Sequence, residues 1–113
     1  MAIDYNNRRF KVATNSENGE VSSNLIFHYL QKGNMLSCTY ADQKILHGHL
    51  IGIVKEDGTI DLSYHQINDK HELKTGLCNS RPEMMPNGKI RIHENWRWTS
   101  GDLSEGTSML EEV

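Results

Sequence analysis

The chain has 113 residues, enough for one domain, 1–113, with a modest core. A hydrophobic share of 36% and a mean hydropathy of −0.63 argue against a helical bundle with a large solid core and suit a sheet with one solvated face. With a net charge of −3 and its acids and bases interspersed, the chain lacks the basic field that gathers phosphate backbones, so no nucleic-acid partner is expected.

In chain order, the first twenty residues, MAIDYNNRRFKVATNSENGE, hold no apolar run long enough for a secretory signal. Nowhere do roughly 18 apolar residues follow one another, as a membrane-spanning helix requires. Cys38 and Cys78 belong to no C-x-x-C pair, which predicts two buried free thiols instead of a disulfide framework or a zinc ribbon. Together these features predict a cytoplasmic protein with no membrane partner.

Turn signals then recur at 15–20 (NSENGE), 32–34 (KGN), 41–43 (ADQ), 56–58 (EDG), 68–70 (NDK), 81–88 (RPEMMPNG) and 100–106 (SGDLSEG). They separate segments at 8–13, 21–31, 35–40, 44–55, 59–67, 72–80, 89–99 and 107–112, most of them alternating and rich in Val, Ile, Thr, Tyr, Phe and Trp. All read as strands, with both prolines in a single turn. No segment sustains a helical repeat or is long enough for a crossover helix. Short loops between antiparallel strands make a meander, and eight such strands lose their exposed edges by closing. The fold class predicted is all-β, a single eight-stranded antiparallel up-and-down barrel, with a two-sheet sandwich as the alternative. A barrel of this size is either filled by its own side chains or holds one small ligand.

In the fourth segment, ILHGHLIGIV, the parity puts Leu46, Gly48, Leu50, Gly52 and Val54 on one inward face. The glycines there, and Gly76 later, either bend the strands for closure or leave room for what lies opposite, and the bend is the expectation. The same parity sends His47 and His49 outward, so their H-x-H spacing is not read as a metal site, and no metal or other cofactor is predicted. Asp61, alternating with Ile60 and Leu62, is expected outside. The sequence contains no G-x-S-x-G elbow, and neither cysteine has a basic setting, so catalysis is not predicted.

The seventh segment carries the chemistry. In IRIHENWRWTSGD, Ile90, Ile92, Glu94, Trp96 and Trp98 alternate with polar residues, so both tryptophans of the chain share a face with a carboxylate. Exposing that face would create an aggregation-prone patch, which turns it inward. A buried carboxylate needs a partner or becomes neutral. Tyr29, Tyr40, Tyr64, Gln66 and Asn79 are the candidate partners from other strands. Glu94, Trp96, Trp98, Tyr64, Gln66, Tyr40 and Asn79 are therefore the candidate ligand-binding residues, an apolar wall with a few placed polar groups.

The runs NSENGEVSSNLIFHYLQKGNMLSCTYADQKILHGHLIGIVKEDGTIDLSYHQIN, LKTGLCNSRPE and GKIRIHENWRWTSGD resemble a group of small bacterial proteins of about this length. Its members look like avidin-like or lipocalin-like barrels of unassigned activity, and many carry the label N-acetylglutamate synthase. The resemblance implies the barrel and brings no established site residues. An acetyl-coenzyme-A transferase needs a glycine-rich strand-to-helix turn for the pyrophosphate, and the sequence has none. Two readings stand: a barrel that binds a small molecule beside its tryptophans, or a filled barrel whose outer face meets another protein, with Tyr5, Phe10 and Met109 as contacts. Oligomers are compatible with either.

Overall fold

Eight strands follow one another: β1 Arg8–Asn15, β2 Ile26–Lys32, β3 Met35–Tyr40, β4 Ile45–Val54, β5 Ile60–Asn68, β6 Leu73–Met84, β7 Ile90–Trp98 and β8 Glu105–Glu112. The structure, a computed structural model, describes residues 3–16 and 25–113, so positions 17–20 of the first predicted turn and 21–24 of the second predicted strand lie outside the described residues. Every strand pairs antiparallel with its sequence neighbours, and β8 returns to β1 to close the barrel. Closure excludes the sandwich and gives every strand a neighbour on both sides. Among the described residues there is no helix, and so none long and apolar enough to cross a membrane.

Local chemistry accounts for the turns. EDG and PNG are built alike: Gly58 and Gly88 sit at φ of 87° and 83° and each donates its N–H three residues back, to Lys55 and Met85. The side chains of Asp57 and Asn87 accept from the N–H two residues on, at 3.0 Å in both turns. These are type I turns followed by a left-handed glycine, a common hairpin connection.

The turns at 33–34, 55–59 and 85–89 gather at one end, the base, and those at 41–44, 69–72 and 99–104 at the other, the mouth. The N-terminal segment folds across the base. Tyr5, fully buried, donates its hydroxyl to the Gly58 carbonyl and its N–H to Gln31 Oε1 at 2.9 Å. Around it the lower barrel is packed solid by Phe10, Tyr29, Leu36, Ile60, Ile90 and Ile92, each at most 1% exposed. Tyr5 and Phe10 are thus core residues, which corrects their expected part in an outer contact surface.

Three further expectations change. β6 continues through Pro82 to Met84, where 81–88 was expected to be all turn. Its ladder with β5 ends at Ser80 while that with β7 continues, so Pro82 lies where β6 is paired on one side only and a missing N–H costs little. In β4 the register shifts between Ile45 and His47; Ile45 turns inward and Leu46, expected inside, is 46% exposed. The inward glycines make room more than they bend. A methyl group on Gly48, Gly76 or Gly106 would lie 2.2, 2.2 or 2.3 Å from the ring of Tyr40, Tyr64 or Trp96, its partner on the neighbouring strand.

Outside, Leu30, Met35, Ile51, Ile53 and Leu77 stand 41–58% exposed on adjoining strands from β2 to β6. They border an open depression of about 1140 Å³ on the outer wall.

Candidate functional site

The inward row of β7 runs from Ile90 at the base through Ile92, Glu94 and Trp96 to Trp98 at the mouth, as the alternation requires. Trp96 is 9% and Trp98 5% exposed, their rings 5.9 Å apart and inclined at 61°. The Tyr64 ring meets Trp98 edge-on at 5.4 Å, and Lys74 Nζ lies 4.6 Å from the Trp98 ring centre. Aromatic packing of this kind fixes ring orientations as well as burying area.

Trp96, Trp98 and Tyr64 border a hollow of about 70 Å³ in the mouth half of the barrel, together with Tyr29, Tyr40, Gln66, Cys78, Glu94 and Ser108. It has room for a few water molecules or a group of a few heavy atoms. The half-burial of Glu94 reflects its place on the border of this hollow.

Strand register chooses the partners of Glu94. Ser80 on β6 and Ser108 on β8 stand directly opposite it on either side. Ser108 Oγ donates to Glu94 Oε1 at 2.6 Å, and the Cys78 thiol makes a long contact with Oε2 at 3.9 Å. Cys78 Sγ in turn lies 3.6 Å from Ser80 Oγ. None of these three was among the expected partners. Only the parity of Gly106, Ser108 and Leu110 within EGTSML hinted at Ser108, and its level opposite Glu94 depends on the length of the turn at 99–104.

Among the described residues, no cationic side chain borders the hollow. Burial therefore raises the Glu94 pKa above the ordinary glutamate value, opposed by the bonds from Ser108 and Cys78. The same burial, reinforced by the Glu94 charge, raises the Cys78 thiol. It also pushes Cys38 up to about 11. Both thiols are free and buried, as expected.

The tyrosines and the amides divide. Tyr40 donates to Gln66 Oε1 at 2.9 Å, both side chains buried at the mouth end of the hollow. Tyr64 lies across Gly76, and its hydroxyl reaches the Arg97 carbonyl at 3.3 Å. Tyr29 is fully buried and its hydroxyl has no hydrogen-bond partner among the described residues. Burial first and the Glu94 charge second raise its pKa well above the usual phenol range.

Asn79 is the exception. Gly76, Cys78 and Ser80 take the inward parity of β6, so Asn79 points outward, exposed, and donates to Asp61 Oδ1 at 2.7 Å on the outer wall. Its expected place in the interior is corrected. Asp61 lies outside as expected and pairs with Lys55 at 2.8 Å.

No curated protein and no solved structure matches the chain. A family model described as avidin-like protein matches residues 3–113. With a closed eight-stranded meander barrel behind that match, the chain belongs to the avidin-like protein family.

Proposed function

We propose that this chain is a small-molecule-binding barrel whose ligand enters the mouth and contacts Glu94, Trp96, Trp98, Tyr64, Gln66 and Tyr40. Membership of the avidin-like family and the barrel architecture fit that function. The observation that carries it is the hollow itself, an aromatic chamber where, among the described residues, a carboxylate has no cation beside it and a tyrosine hydroxyl has no hydrogen-bond partner. A core selected only for stability fills such space with apolar atoms, because unpaired buried polar groups cost free energy. At about 70 Å³ the hollow is smaller than a typical drug-sized pocket, so it holds the head of a ligand whose remainder lies in the mouth. The two free thiols support a reducing, cytoplasmic setting.

Native mass spectrometry of the protein purified from its own host tests this reading. The expected spectrum carries a small additional mass that is lost on denaturation; a spectrum of bare chain alone contradicts it. The second reading, a protein-interaction module, is favoured by the apolar outer patch of Leu30, Met35, Ile51, Ile53 and Leu77. The same spectrum checks it, through masses at multiples of the chain.

A further inference from the structure

The charge inside the barrel restricts what the hollow can hold. Among the described residues, Glu94 is the one Asp, Glu, Lys, Arg or His on its border, and its side chain is half-buried there. An anion brought there would meet a like charge in a medium that screens it poorly. A neutral ligand would leave the carboxylate without a counter-charge. A cation supplies what is missing.

The other groups fit the same ligand. Tyr29 lines the hollow, and its hydroxyl is fully buried with no partner among the described residues, so its lone pairs are unused. Glu94 Oε1 takes one bond from Ser108, while Oε2 has only the long thiol contact, so the carboxylate retains acceptor capacity. The walls above are the rings of Trp96 and Trp98, and indole faces attract cations. Trp98 already has one, Lys74 Nζ, 4.6 Å from its ring centre.

Resting on the binding reading above, we propose that the hollow takes the head of a small primary ammonium ion, its N–H groups shared between the Glu94 carboxylate and the Tyr29 hydroxyl oxygen, with the carbon chain lying against the Trp96 and Trp98 rings toward the mouth.

Tryptophan emission and protein NMR shifts are followed while n-propylammonium, n-propanol, propionamide and propionate are titrated at constant ionic strength. They are titrated into the intact protein, Glu94→Gln and Tyr29→Phe, each first checked for native circular dichroism. Propylammonium should bind saturably in the millimolar range, at least 10-fold more tightly than the other three. Its affinity should fall at least 10-fold in Glu94→Gln and several-fold in Tyr29→Phe. Equal or tighter binding of propanol, propionamide or propionate, or the same ammonium affinity in all three proteins, would overturn the cation and leave the pocket standing. No response to propylammonium at any concentration would also overturn it, while the pocket is judged separately by the mass carried from the host. If Glu94→Gln does not fold, Tyr29→Phe and the ligand series still decide.

Discussion

Glu94 is a costly residue in its place, and the cost is informative. Its bond from Ser108 at 2.6 Å is of the short, charge-assisted kind, yet burial still raises its pKa. One hydroxyl and a distant thiol do not replace the water a carboxylate loses. The sequence made its inward direction legible, because Ile92, Glu94 and Trp96 must share a face when one face is apolar. Its partners were not legible, since which residue of β6 or β8 stands level with it depends on turn length and bulges, which move register without changing parity. Asn79 was misplaced for a simpler reason: Gly76 and Cys78 already claimed the inward parity of β6, and Asn79 belongs to the other. For the two indoles, the interior position predicts blue-shifted emission that iodide quenches poorly in the folded protein. Emission near the solvated maximum with ready quenching would place them outside.

At the scale of the element, the pairing of glycine with ring is what shapes the upper barrel. Tyr40 over Gly48, Tyr64 over Gly76 and Trp96 over Gly106 each fold a large ring across a neighbouring strand, and the three rings border the hollow. Such rings cover exposed backbone and hold register. In the sequence Gly48 and Gly76 look like strand-weakening residues whose natural use is a bend, and only the cross-strand register reveals the ring above each. Gly106→Ala should therefore displace the Trp96 indole, destabilise the fold by about 1–3 kcal/mol by overpacking and alter the emission spectrum. Chemical denaturation together with fluorescence checks both effects; a neutral substitution with unchanged emission would mean the ring does not lie on the glycine. Pro82 and Leu46 teach the companion lesson. By sequence pattern a strand ends where the prolines begin and alternates without interruption, and the ladders of β6 and β4 show each rule yielding to pairing on one side and to a bulge.

For the whole molecule, alternation and turn spacing were enough to specify an antiparallel meander, and closure followed from the number of strands. How much of the interior was empty was not legible, because it depends on ring orientations that no pattern of apolar residues records. The packed base and the polar hollow above it divide the barrel into a stabilising half and a half that sacrifices stability. The exposed carboxyls and the one in the hollow contribute to the pH dependence of folding with opposite signs. Asp57, Asp61, Glu83 and Asp102 have lowered pKa values from hydrogen bonds and neighbouring cations. They contribute stability that is lost as pH falls below the ordinary carboxylate range. Glu94 has the opposite sign. The unfolded chain releases its proton at the ordinary glutamate value while the native protein still holds it, so stability declines as pH rises from that value to the raised one and is level beyond. Tyr29 and Cys78, which also border the hollow, have raised pKa values and stay protonated across that window. The most direct measurement is the stability of the intact protein minus that of Glu94→Gln, whose amide oxygen can still accept from Ser108, from pH 4 to 8. The difference should turn against the intact protein as pH rises, by at most about 1.4 kcal/mol per pH unit for a single group, leaving the variant the more stable at neutral pH. A variant less stable at every pH, by a constant amount, would contradict this account and make Glu94 part of a closed structural network in a filled barrel.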